Sequence, residues 1–169
     1  MRSVLVFTAL LLAVLSGGGC AHYQLGTGAK TDLTSIFIAP VRNDAGVPQA
    51  TALVTSAVRD AFLRDGRLTL APDADSADAV LEITLADYTR EVTTVRAGDT
   101  GLARKFDLDL VARATLIGAD GETRFTDRPL PVTRQIFTDS GQLQAEYQAL
   151  PQLAAQIADR AVHAVLDVW

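Results

Sequence analysis

The residues able to do chemistry are few, and their spacing argues against catalysis. Cys20 is the only cysteine of the 169-residue chain. Neither of the two histidines, His22 and His163, has a serine or cysteine at a motif spacing, and no H-E-x-x-H, G-x-S-x-G or Gly-rich phosphate loop occurs. An anchored hydrolase whose nucleophile meets its base only through folding stays open as an alternative. Asp73, Asp75 and Asp78 in DADSAD invite calcium. A helix–loop–helix calcium loop, however, needs a central glycine and a bidentate glutamate at its twelfth position. Here Asp78 stands at the sixth position and Thr84 at the twelfth, so the segment reads as a solvated turn ahead of a strand. The expectation is no catalytic residue, no metal site and no cofactor.

Charge placement points to binding instead. Eight of the fourteen basic residues beyond the first nineteen positions fall between Arg90 and Arg134, interleaved with seven acids. Arginine forks suit phosphate oxygens, and Arg96, Arg104, Lys105 and Arg124 are the candidate contacts to a phosphate-bearing ligand or a partner. The competing reading is a solvated sheet face with exposed ion pairs, each worth little. The stretch from Thr93 to Lys105, with Gly98 and Gly101, is expected to be a long exposed loop between strands. A net charge of −5 leaves no general grip on nucleic acid.

Cys20 gains meaning from what precedes it. Met1–Arg2 is a short positive region, and Val4 to Leu15 is apolar apart from Thr8. That run is shorter than the ~20 residues needed to cross a bilayer and has the proportions of a secretory signal. Gly17, Gly18 and Gly19 leave the chain unobstructed just before the cysteine. The arrangement resembles the lipobox of bacterial lipoproteins, although Gly17 stands where that pattern has leucine. The resemblance implies cleavage after residue 19 and lipidation of Cys20, giving a protein attached to the membrane through its lipid anchor. Several acyl chains hold a protein at a membrane where one does not. Ala21 is not the aspartate that retains similar lipoproteins at the inner membrane, which implies the periplasmic side of the outer membrane. Plain secretion with a free thiol is the alternative.

These assignments divide the chain into a signal at 1–19, a polar tether at 20–34 and one domain at 35–169. A hydrophobic share of 49% against 21% charged residues is enough for that domain to build its own core. Ser35 to Val41 alternates as a first strand with Ile36 and Ile38 on one face, and Asn43–Gly46 is a turn. Pro48 opens a helix whose apolar stripe runs through Ala50, Leu53, Val54, Ala57, Val58, Ala61 and Phe62, closed by Gly66. Arg67–Ala71 is a short strand. Leu81, Ile83 and Leu85 share one strand face, and Phe106, Leu108, Leu110, Ala112, Ala114 and Leu116 share another. Gly118–Gly121 turns into a strand near Glu122–Asp127, and Pro129 and Pro131 make its continuation an edge or a bend. Leu150, Leu153, Ala154, Ile157, Ala158, Ala161, Val162 and Val165 mark a final helix. Pro151 implies a kink or a fresh start, with Gln142 to Ala149 as a preceding turn or two. The fold class is α+β, a two-layer sandwich: a mostly antiparallel or mixed sheet of about four strands with two helices packed on one face.

Several short motifs carry a further resemblance. Cys20-Ala-His-Tyr-Gln-Leu-Gly26 is similar to the opening of the LPS-assembly lipoprotein family, LptE. Ile36 to Asn43 resembles that family's first strand, and Ala77-Asp-Ala-Val-Leu81 its Ala-Asp-Ala-x-Leu motif. An extra residue between Cys20 and Tyr23 departs from the pattern. What the resemblance implies is a non-enzymatic outer-membrane lipoprotein that assists and plugs the β-barrel LptD and helps deliver lipopolysaccharide to the cell surface. Lipid A phosphates would then be the ligands of the candidate cations. A lipoprotein of similar build that activates a cell-wall synthase or assists a transporter is the alternative. On the lipobox reading, radiolabelled palmitate enters the protein, and Cys20→Ser abolishes the label. Labelling that persists in the variant overturns the reading.

Overall fold

The structure is a computed structural model that describes residues 33–95, 103–137 and 142–167. Cys20 and Arg96 lie outside the described residues. The first strand expected from the sequence is broken in two. Strand β1 (Ser35–Ile38) runs parallel to β4 (Ala79–Val95), with Phe37 opposite Val80 and Ile38 opposite Leu81. Pro40 has no N–H to give to the ladder. The chain rejoins β4 as β2 (Arg42–Asn43), where Arg42 faces Thr84 and Asn43 faces Leu85, one residue out of step with β1.

Helix α1 (Pro48–Asp65) then carries the chain back across the sheet. Pro48 sits in its first turn, where a missing N–H costs nothing, and Gly66 ends it in the left-handed region at φ 73°, its N–H bonded to the Phe62 carbonyl at 3.1 Å. Strand β3 (Thr69–Leu70) pairs in parallel with the far side of β1. From there the sheet is an antiparallel meander of β4, the 16-residue β5 (Ala103–Gly118) and β6 (Thr123–Phe137). The strand order is β3-β1-β4-β5-β6, with β2 also on β4. The sheet therefore has six strands rather than about four: the short strand expected at Arg67–Ala71 is present as Thr69–Leu70, and the expected first strand is split into β1 and β2. The expected loop from Thr93 to Lys105 is also shorter than read: β4 continues to Val95 and β5 begins at Ala103.

The β5–β6 turn uses Gly121 at φ 79°, with its N–H on the Gly118 carbonyl and the Gly118 N–H on Glu122. Asp127, at φ 48°, makes a bulge opposite Thr115, whose hydroxyl accepts its N–H at 3.2 Å. Pro129 and Pro131 follow on this edge strand. They face Arg113 and Val111, whose backbone polar groups turn toward β4, so the proline nitrogens point off the sheet edge and no ladder bond is lost. Helix α2 (Gln142–Leu166) is continuous through Pro151, so the helix does not start afresh there.

One face of the sheet holds the core. Ile36, Ile38, Leu81, Ile83, Leu85, Leu108, Leu110, Ala112, Ala114 and Leu116 are buried beneath the two helices, which pack on each other and on that face. Among the described residues no polar or charged side chain is buried. The α1 stripe is narrower than expected: Ala50, Val54, Val58, Ala61 and Phe62 are buried, while Leu53 is exposed.

Asp78 ties the two halves of the sheet together at its lower end. Its Oδ2 accepts hydrogen bonds from the Thr34 N–H (2.9 Å), the Thr34 hydroxyl (2.6 Å) and the Ser35 N–H (2.9 Å), and its own N–H donates to the Ser35 hydroxyl at 3.0 Å. Its carbonyl accepts the Ala119 N–H of the β5–β6 turn. The Thr34 and Ser35 donors lower its carboxyl from 3.8 to about 2. A carboxyl held down in this way stabilises the fold above its unfolded value of 3.8, and the gain disappears as pH falls toward about 2. Asp78→Asn is therefore expected to lower the urea midpoint at neutral pH, with the gap to the unaltered protein closing as pH falls through that window. A gap that stays constant with pH contradicts this account. In the core, Phe62→Ala and Leu110→Ala each remove a fully buried side chain and are expected to cost roughly 2–5 kcal/mol, against less than about half a kcal/mol for Asp60→Ala on the exposed face of α1.

Candidate functional site

The distinctive surface lies where β4 and β5 run past the β2–α1 turn. Beyond Leu85 no strand among the described residues pairs with the side of β4 away from β5. The end of α2 reaches over this region. Glu146, only 15% exposed in its side chain, receives Arg90 Nη1 at 3.0 Å and Gln142 Nε2 at 2.9 Å, with the Tyr88 hydroxyl at 3.5 Å. Burial, and then the Glu146 charge, push the Tyr88 hydroxyl up to about 12, with Arg90 pulling the other way. Tyr88 therefore stays a neutral hydrogen-bond donor and gives no nucleophile. A cleft of about 300 Å3 opens beside it, walled by Val47, Pro48, Leu143, Tyr147 and Leu150, with Gln49 and Glu146 as its polar lining. Val92, Phe137, Leu143 and Tyr147 are exposed at the same end.

The uncovered face of the sheet is polar. On β4 and β5 it presents Asp87, Glu91, Lys105, Asp107, Asp109, Arg113 and Thr115, since directly opposed residues share a face and Glu91 faces Asp107. Asp107 accepts from Gln135 Nε2 at 2.9 Å, and Asp109 from the Thr133 hydroxyl.

The four candidate cations do not form one cluster. Lys105 lies half-buried at the start of β5, between Thr94 and Phe137, and Arg104 precedes it in the same strand. Arg124 is at the opposite end, next to Thr123, which pairs with Ile117. Twelve residues of strand separate these positions, about 40 Å at ~3.3 Å per residue. Arg124 is also engaged locally: its Nη2 meets Asp120 Oδ2 at 2.9 Å, and its guanidinium lies over Gly118, where a Cβ would come within 3.3 Å of Nη2. The residues that sequence reading missed are Tyr88, Arg90 and Glu146. Arg90 was legible as a cation, but its partner lies 56 positions away across the fold.

The acids and histidine that invited catalytic readings have structural uses. Asp73 accepts the Ser76 N–H at 2.9 Å as a local turn, and Asp78 is the strand clamp. His163 Nδ1 meets Asp167 Oδ2 at 2.6 Å one turn along α2, on the surface. Among the described residues there is no cluster of potential metal ligands, and no helix is long and apolar enough to cross a membrane.

Comparison with known proteins agrees with this architecture. Uncharacterized lipoprotein B from Nitrosomonas europaea superposes with a TM-score of 0.50 at 19% identity, covering 79% of this chain and 80% of its own. A minor lipoprotein from Acinetobacter baumannii gives 0.51 at 14% identity over 78% and 91%. A protein from Xanthomonas campestris gives 0.53 at 16% identity over 78% and 84%. At these identities the likeness is one of fold. No curated protein sequence matches the chain. The profile of the LptE lipopolysaccharide-assembly family matches residues 33–165, from the chain's approach to β1 to the last turn of α2. The chain thus belongs to the LptE family of lipopolysaccharide-assembly lipoproteins, whose role is non-catalytic.

Proposed function

We propose that this protein is anchored through Cys20 on the periplasmic side of the outer membrane, where it acts as assembly factor and plug of an LptD-like β-barrel and assists lipopolysaccharide insertion at the cell surface. The family match over 33–165 carries the proposal. The uncovered sheet face supports it, because the lumen of a transmembrane barrel is polar and suits a surface of mixed charge and hydroxyls better than an apolar one. Both helices spend their apolar stripes on the core, so the sheet face, its edges and the strand connections are what remain for contact.

Lipid A phosphates passing this surface meet Lys105 and Arg104, adjacent in β5, where guanidinium and ammonium groups donate to phosphate oxygens; Arg96 remains a candidate contact on its chemistry alone. Arg124, about 40 Å away along β5, serves as a barrel contact in this arrangement rather than as part of the same phosphate site. Photocrosslinkers at Arg96, Arg104, Lys105 and Arg124 are expected to capture the barrel protein or lipopolysaccharide, whereas one at Asp60 on the exposed face of α1 captures neither. Reversing charge with Arg104→Glu and Lys105→Glu together weakens lipopolysaccharide binding, most at low salt, and leaves the thermal midpoint within a degree or so of the unaltered protein. Crosslinks confined to a cell-wall synthase, with no lipopolysaccharide binding, overturn the proposal.

A further inference from the structure

The two open edges of the meander are treated differently by the sequence. The β6 edge is blunted by the Asp127 bulge and by Pro129 and Pro131, devices that stop a further strand from adding. Upper β4 has none of these. Residues 88–95 read YTREVTTV, without proline or glycine and rich in β-branched side chains.

The ladder tells which groups on this edge are free. The Leu85 carbonyl accepts the Asp44 and Ala45 N–H groups, so Leu85 turns its backbone polar groups away from β5. After the bulge between Leu85 and Asp87, Tyr88 faces Leu110, Arg90 faces Leu108 and Val92 faces Phe106 in the same sense, while Thr89 and Glu91 turn theirs toward Asp109 and Asp107. Tyr88, Arg90 and Val92 therefore present N–H and C=O outward, and no strand among the described residues takes them. The cleft of Val47, Pro48, Leu143, Tyr147 and Leu150 opens against Tyr88, on the covered face of the sheet.

We propose that the outer edge of β4 from Tyr88 to Val92, together with this cleft, is a strand-addition site for an extended segment of another protein whose residues alternate apolar and basic. Main-chain bonds to the three free residues supply affinity, and alternate side chains supply selectivity. A residue of the added strand on the covered face drops into the cleft, which at about 300 Å3 is ample for one large apolar side chain. Its neighbours on the uncovered face lie beside Asp87, Glu91, Asp107 and Asp109. None of these four acids forms an ion pair among the described residues, although Lys105 stands at one end of the band and Arg113 at the other. That field favours lysine or arginine on the incoming strand. A second copy of this chain fits poorly, because pairing edge to edge brings two acidic bands together on one face. The inference does not rest on the barrel reading: it concerns which backbone pairs and with what chemistry, whichever protein brings the strand.

The probe is an acetylated and amidated nine-residue peptide alternating lysine and valine around a central leucine, added to the full chain in detergent. In the free protein the amides of Tyr88, Arg90 and Val92 are expected to exchange quickly, and those of Thr89 and Glu91 slowly. Peptide should slow the first three selectively. Val92→Pro removes an outward N–H without touching the β5 ladder and is expected to weaken binding about tenfold or more, while Val92→Thr, which keeps the N–H, stays within about threefold. On the unaltered protein, the same peptide N-methylated at alternate backbone nitrogens should fail to bind, as should the version with glutamate in place of lysine. Binding with no protection at these three amides overturns the proposal. So does equal binding of the N-methylated or glutamate peptides, or a concentration-dependent dimer that protects the edge without peptide.

Discussion

Leu108, Leu110, Ala112, Ala114 and Leu116 are buried, and the residues between them are half-buried or exposed, so β5 has one dry face and one wet face along most of its length. The rest of the molecule follows from that asymmetry. A sheet with a single apolar face needs cover on that side only, and α1 and α2 both lie there, packed on each other as well as on the strands. Because no polar side chain is buried among the described residues, every charge is left to the open face, the strand ends and the outer surfaces of the helices. Among the described residues, such a layout places none of its charged side chains in the core. It leaves surface for partners instead, in keeping with an assembly role.

Much of the fold was legible because its elements are long and strictly periodic. The alternation from Leu81 to Leu85 and from Phe106 to Leu116, and the stripe from Leu150 to Val165, each depend on residues two, three or four apart, a distance over which sequence and structure share a ruler. What escaped was non-local or too short to have a period. Nothing in Arg42–Asn43 or Thr69–Leu70 announces that β1, β2 and β3 pair in parallel with partners tens of residues away. Pro40 was read as part of a strand, whereas its missing N–H divides that strand. Pro151 marks no such division: its neighbours on α2 are held by packing, and the helix does not start afresh there.

The site was less legible than the fold, for a related reason. Counting cations along the chain found a basic region, but a strand spreads residues over a length that counting does not register, and Arg124 ends up far from Lys105. Asp78 shows the reverse case. As one of three aspartates in a polar turn it looked dispensable, yet Thr34 and Ser35, more than forty positions earlier, fold back to make it the junction of β1 and β4. The Ala-Asp-Ala-x-Leu resemblance at Ala77–Leu81 thus has a physical basis that no local pattern supplies: the aspartate is the hydrogen-bond acceptor for the start of the neighbouring strand.

That junction also has a mechanical meaning. Tension that reaches the start of β1 meets Thr34 and Ser35, the residues held by the Asp78 carboxylate. The strand they begin runs parallel to β4, so a pull along it loads the Asp78 bonds and the neighbouring ladder bonds together, in shear, instead of peeling them one at a time. The core behind them, closed by Ile36 and Ile38, is shielded until that group yields. The first strand of the described fold is thus held by a carboxylate clamp as well as by its ladder.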